Sequence, residues 1–169
     1  MKQLKVLLLA LALFLIGPSI ATAQDSATAQ EVLQKTREAA DYLVREGAKG
    51  VTTFKSKNPQ SFWKSDGYIF VFDCELGRML ANANLAIAGA PLKRLHDSLG
   101  LYLAKPLCED GRRSHGGWFE IHQPKPNTTK VVRKILYVRP VPGTTYQVGS
   151  GIYDDTVTVE ELNKLSDSQ

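Results

Sequence analysis

The chain is 169 residues long, 43% hydrophobic and formally charged +4, and this charge falls to +2 when the first 23 residues with their two lysines are left out. This length suits one domain with a sizeable core. So small a charge excludes the basic surface that nucleic-acid binding requires, and we expect no nucleic-acid partner.

The N-terminus has the pattern of a cleavable secretory signal. Two lysines precede an unbroken apolar run over residues 6–16, which is too short to span a bilayer. Ala21-Thr22-Ala23 then supplies the small-x-small pattern of a cleavage site. We expect residues 1–23 to be a signal peptide cleaved near Ala23, and the mature protein to be periplasmic or secreted without inserting into a membrane.

The first predicted element of the mature chain is a long amphipathic helix. Residues 28–31 have the form of a capping box, and apolar residues recur after them at helical spacing. We expect the helix to weaken at Gly47 or Gly50. It should end fully by Asn58-Pro59, since the residue before a proline resists helical backbone angles.

A β-hairpin is predicted next. Residues 67–72 form an aromatic and β-branched run, residues 73–77 have turn chemistry, and a second strand covers residues 78–81. Two short helical turns then follow. One opens at Pro91, and the other runs from Leu101 towards Leu107 and is interrupted at Pro106.

Three more strands complete the predicted domain, over residues 118–122, 131–139 and 146–151. Strands joined by hairpins, with a long helix before them and a helical insertion between them, are typical of an α+β fold. We assign residues 24–155 to a single domain and residues 156–169 to a polar C-terminal tail with one helical turn around residues 159–165.

A series of short motifs follows this order of elements. They are Phe62-Trp63, the run from Gly67 to Asp73, Gly77, Asp97 with Gly100, the run from Gly117 to Glu120, Lys134 with Tyr137-Val138, and the run from Val148 to Asp155. Their order and spacing resemble those of the single Cache domains, the extracytoplasmic PAS-like sensor modules of bacterial receptors. The resemblance implies a long helix leading into a five- to six-stranded antiparallel sheet, with a small-molecule pocket between one sheet face and the helix-loop insertion.

The resemblance also predicts the function. In receptors such a domain lies between two membrane spans, whereas only residues 156–169 follow here, without a second span. We therefore expect a free-standing exported sensor that captures a small metabolite, such as a short organic acid, and acts with a membrane receptor or kinase. The alternative is an exported scaffold for protein interaction, whose pocket is filled by its own side chains.

Alternation along two strands supplies five candidate ligand-binding residues. Tyr68 and Phe70 share one strand face, and Trp118, Glu120 and His122 share a face of another strand. Aromatic walls with a few polar groups suit a small-molecule pocket, although large aromatic residues in a sheet also commonly form core.

Two further candidates lie on the predicted fourth strand. Lys134 occupies the position at which similar Cache domains carry a lysine, and its ammonium group would neutralise a carboxylate that is buried with a ligand. The alternative is a solvated strand lysine. Tyr137 is also a candidate, but in a regular strand it points to the opposite face from Lys134.

The remaining reactive residues indicate no catalysis. The histidines match no standard metal spacing, and the sequence holds neither a nucleophile-base constellation nor a cofactor loop, so we expect no enzyme, metal or cofactor.

Cys74 and Cys108 are the only cysteines. Export to an oxidising compartment allows them to form a disulfide, and the alternative is two separate buried thiols.

Overall fold

The computed structural model describes residues 26–55 and 61–168 of the chain. The predicted signal peptide, its cleavage site near Ala23 and the predicted helix end at Asn58-Pro59 lie outside these residues. Within the described ranges, no helix is both long enough and apolar enough to cross a membrane.

A five-stranded antiparallel sheet forms the centre of the fold. Its strands are β1 (Phe70–Asp73), β2 (Arg78–Ala81), β3 (Gly117–Pro124), β4 (Val131–Pro140) and β5 (Tyr146–Ile152). They lie in the order β2-β1-β5-β4-β3, and every neighbouring pair is antiparallel. The predicted α+β class, with a long N-terminal helix packed on an antiparallel sheet, is confirmed.

Helix α1 (Ala29–Val51) covers one face of this sheet. It begins with the predicted capping box, in which the Thr28 hydroxyl accepts from the backbone N–H of Glu31 and the Glu31 carboxylate accepts from that of Thr28. Gly47 has a φ of 57°, and the helix kinks there before it continues to Val51. The buried stripe of α1 packs on sheet residues such as Val71 and Val148.

The segment between β2 and β3, which we call the insertion (residues 82–116), covers the opposite face of the sheet. It contains a 3₁₀ turn at Leu92–Arg94 and helix α2 (Ala104–Gly111), whose Leu107 packs against Phe72. The predicted helix break at Pro106 is wrong. Pro106 lies in the first turn of α2, where a backbone N–H has no intrahelical partner to lose.

The C-terminal segment forms a longer helix than the single turn predicted within its polar tail. Residues Val159–Asp167 form helix α3, which starts with a second capping box at Thr158. Leu162 is buried in a cluster that includes Trp118, and the Asn163 side chain accepts from the backbone N–H of Trp118 at 3.0 Å. Apolar residues at helical spacing pack this helix on β3.

A disulfide joins Cys74 to Cys108, whose Cα atoms are 5.7 Å apart. Cys74 directly follows β1, and Cys108 lies in α2. The bond therefore ties the insertion to the sheet that it covers.

A buried carboxylate also holds the insertion on the sheet. Asp97 accepts hydrogen bonds from the backbone N–H groups of Leu99 and Leu101 within the insertion, and from that of His122 in β3, all at 2.9 Å. Burial raises the pKa of Asp97, but these three donors outweigh burial and bring the pKa below its ordinary value.

Substitution of Asp97 by asparagine should lower the free energy of unfolding by about 1.5 to 3 kcal/mol at neutral pH. The NH₂ group of asparagine replaces one carboxylate oxygen and cannot accept the hydrogen bonds that this oxygen accepts. This loss should shrink as the pH falls below about 4. The ionised carboxyl stabilises the fold fully above its unfolded-state pKa, and the effect disappears as the pH falls through the lower folded-state pKa. Urea unfolding across this pH range measures the difference, with Asp155→Asn at an exposed position as the control. A difference that does not depend on pH would contradict this role of Asp97.

Candidate ligand-binding site

The register of β3 and β4 divides the predicted site residues between the two faces of the sheet. Lys134 is paired with Ile121, and both face the insertion, whereas Tyr137 is paired with Trp118 three residues further along β4. This pairing runs without a bulge, so Trp118 and Tyr137 face α1.

Trp118 and Tyr137 form part of the core between the sheet, α1 and α3. Their ring centroids are 5.0 Å apart, and each side chain is 2% exposed. The Tyr137 hydroxyl donates to the carbonyl of His115 at 2.7 Å, and burial raises the pKa of this phenol. These two residues do not line a cavity on the insertion face.

Glu120 and His122 take part in a polar network on the same face as Trp118. Arg133 donates to the Glu120 carboxylate at 2.7 Å and to the carbonyls of Asp154 and Val157. The His122 ring lies 3.7 Å from Glu120. This network ties β3 and β4 to the segment after β5, and across the described residues no group of three His, Cys, Asp or Glu side chains is placed to hold a metal ion.

Tyr68 and Phe70 lie on the insertion face, where they line a cavity of about 80 Å³ that we call the inner cavity. Its polar lining residues are Tyr68, Asn82, His96 and Gln123. Its apolar walls come from Phe70, Met79, Ile87, Leu95, Leu103, Leu107, Ile121 and Leu136. An apolar space with a few polar groups is typical of a site for a small organic molecule.

A larger opening of about 530 Å³, the outer cleft, adjoins the inner cavity. It shares Tyr68, Ile87 and Gln123 with that cavity. Its other lining residues are Phe62, Ala83, Asn84, Leu85, Pro124, Lys125, Pro126, Asn127 and Tyr153. Tyr68 therefore stands at the boundary between the two spaces.

Lys134 is buried behind this boundary and is only 1% exposed. Its Nζ lies 4.4 Å from the ring centroid of Tyr68 and 4.8 Å from that of Tyr153, and it donates to the Tyr68 hydroxyl at 3.2 Å. Among the residues that the structure describes, no carboxylate forms an ion pair with it. The ammonium group is thus enclosed by two aromatic rings, and no carboxylate of residues 26–55 or 61–168 pairs with it.

Burial and the tyrosines act in opposite directions on Lys134. Burial lowers the pKa of this ammonium group, but Tyr68 and Tyr153 outweigh burial and hold the pKa above its ordinary value. Burial likewise opposes ionisation of Tyr68, and the Lys134 cation outweighs it, so the pKa of Tyr68 is lowered.

Sequence reasoning missed Tyr153, Asn82 and Gln123. Tyr153 follows β5 and contacts Lys134 because β5 pairs with β4. The sequence feature that could have identified Tyr153 is its place in the motif from Val148 to Asp155. Asn82 is buried, and among the described residues its side-chain nitrogen has one hydrogen-bond partner, the Met79 sulfur, a weak acceptor, at 4.0 Å. No sequence pattern marked Asn82 or Gln123 as a lining residue.

Comparison with known proteins identifies the family of this chain. Residues 19–167 match the family described as Single Cache domain 2. No curated protein gives a significant match to the sequence.

Solved structures show the same fold. A methyl-accepting chemotaxis protein from Vibrio parahaemolyticus is 19% identical with a TM-score of 0.60, covering 75% of this chain and 88% of that one. A periplasmic sensor domain of a chemotaxis protein is 21% identical with a TM-score of 0.60, and a Cache chemosensory domain described for carboxylic acid recognition is 17% identical with a TM-score of 0.53. Each of these two covers 75% of this chain and 93% of its own. With the family match over nearly its whole length, the chain belongs to the single Cache domains, a family of extracytoplasmic sensor domains.

Proposed function

We propose that the protein is a periplasmic or secreted sensor that binds a short organic acid between the inner cavity and the outer cleft. The proposal depends most on Lys134, a buried ammonium group that contacts Tyr68, a lining residue of both spaces, and that has no carboxylate partner in the described part of the chain. A buried cation is costly unless an anion or several acceptors compensate for its lost hydration. A bound carboxylate supplies that compensation.

The surrounding groups suit the two ends of such a ligand. The Tyr68 hydroxyl at the boundary and the Lys134 ammonium behind it supply donors for the carboxylate oxygens, and the Asn82 amide adds a donor in the inner cavity. The apolar walls of the inner cavity receive a short hydrocarbon chain. Its volume of about 80 Å³ restricts that chain to a few carbon atoms.

The proposed partner is a membrane receptor or kinase that responds to ligand occupancy. Leu95, Leu103 and Leu107 of the insertion supply part of the inner-cavity wall, and the sheet supplies the rest. A ligand that contacts both sides stabilises the insertion on the sheet, so occupancy changes the surface that a partner meets. The chemotaxis proteins that share this fold support a sensory role.

Isothermal titration with pairs of short acids and their amides tests the proposal. We expect acetate, propionate or a close homologue to bind about 100-fold more tightly than its isosteric amide, because only the carboxylate neutralises Lys134. Ligand at 100 times its dissociation constant should stabilise the fold by about 2.7 kcal/mol, which thermal unfolding detects. No binding across the panel, or equal binding of acids and amides, would favour the scaffold alternative.

A further inference from the structure

We infer that the ligand carries a second anionic group, which Lys125 binds in the outer cleft. This inference rests on the proposed function and specifies its ligand class as a short dicarboxylic acid. It assigns the first carboxylate to Lys134 and the second to Lys125.

The two lysines meet at a single aromatic ring. Lys125 Nζ lies 5.3 Å from the ring centroid of Tyr153, and Lys134 Nζ lies 4.8 Å from the same centroid. The two nitrogens are therefore separated by no more than the sum of these distances. An acid with a carboxylate at each end of a chain of four or five carbon atoms is long enough to span that distance.

Local structure fixes Tyr153 and the backbone of Lys125. The Tyr153 hydroxyl donates to the Pro124 carbonyl at 3.0 Å and accepts from the Gln123 side chain at 3.3 Å. The Lys125 carbonyl accepts from both the backbone N–H and the hydroxyl of Thr128, which closes the loop between β3 and β4. The Lys125 side chain is half-buried and lines the outer cleft, so its position there is built into the fold.

The charges around the outer cleft favour an anion. No carboxylate of the described residues forms an ion pair with Lys125, and none lines the cleft. Asn84 and Gln123 add neutral amide groups to its lining. A monocarboxylate at Lys134 leaves the second cation without a partner, whereas a dicarboxylate neutralises both. The cleft, at about 530 Å³, accommodates the outer half of such a molecule.

Titration of the purified protein with succinate and with its half-amide, succinamate, tests the inference. The half-amide keeps one carboxylate for Lys134 and presents a neutral group to Lys125. Succinate should bind about tenfold more tightly than succinamate to the wild type. Lys125→Met should abolish this difference without changing the affinity for succinamate. Lys130→Met, which removes an exposed lysine of the same loop, should preserve it.

The outcomes separate the two proposals. If succinamate and monocarboxylates bind as tightly as succinate, or if Lys125→Met keeps the preference for the diacid, the second anionic group is refuted while carboxylate binding at Lys134 stands. If neither succinate, succinamate nor a monocarboxylate binds, the proposed function fails and this inference fails with it. Loss of the preference in Lys130→Met as well would show a general charge effect and would also overturn the inference.

Discussion

Substitution of Lys134 by methionine is expected to weaken the binding of short carboxylates about 100-fold. The bound carboxylate would be left in a largely apolar space without its cation, and truncating one partner of a buried charge pair costs several kcal/mol of affinity. Isothermal titration of the wild type and the variant with the same acid measures this loss.

The same substitution should change the free energy of unfolding by less than about 1 kcal/mol. Methionine has a similar length, and the removal of a buried charge offsets the lost contacts of Lys134 with Tyr68 and Tyr153. Loss of binding without loss of stability is the expected signature of a ligand-binding residue. Lys130→Met removes one positive charge at an exposed position and should bind as the wild type does. Unchanged affinity in Lys134→Met would contradict the assigned role.

Removal of the disulfide is expected to lower the free energy of unfolding by about 3 to 4 kcal/mol. Cys74 and Cys108 are 34 residues apart, and a cross-link over this separation restricts the unfolded chain by an entropy of that size. Such a loss is a large part of the stability of a single domain. Urea unfolding of the wild type and of the Cys74→Ser/Cys108→Ser double variant measures it.

The reducing agent provides the matched control for this prediction. Reduction should destabilise the wild type by a similar amount and should leave the double variant unchanged. Ligand affinity should also fall, because the disulfide holds α2, which carries Leu107 of the inner-cavity wall, on the sheet. Equal unfolding midpoints for the oxidised and reduced wild type would contradict a stabilising role.

Local sequence patterns predicted most of the fold because their physical causes are local. The capping box at Thr28 and the apolar spacing after it marked α1, and alternation placed Tyr68 and Phe70 on one face. The errors arose where a pattern had two meanings. Pro106 breaks a helix interior but is tolerated in a first turn, and the polar segment after residue 155 contained enough apolar residues to dock as α3.

The candidate site was predictable only in part, because sheet alternation does not identify the face that carries the cavity. Trp118 and Tyr137 have the residue types of a pocket, yet the register turns them towards α1. Lys134 was marked by a family resemblance. Its partner Tyr153 follows a different strand and meets it only after β4 and β5 pair, so no local pattern joins the two.

A crystal structure of the protein with a carboxylate identified by titration would show directly whether Lys134 binds the ligand. We expect a carboxylate oxygen within hydrogen-bonding distance of Lys134 Nζ, with the hydrocarbon part of the ligand in the inner cavity. A ligand bound elsewhere, with Lys134 still enclosed by Tyr68 and Tyr153 and in contact with no anion, would contradict this binding mode.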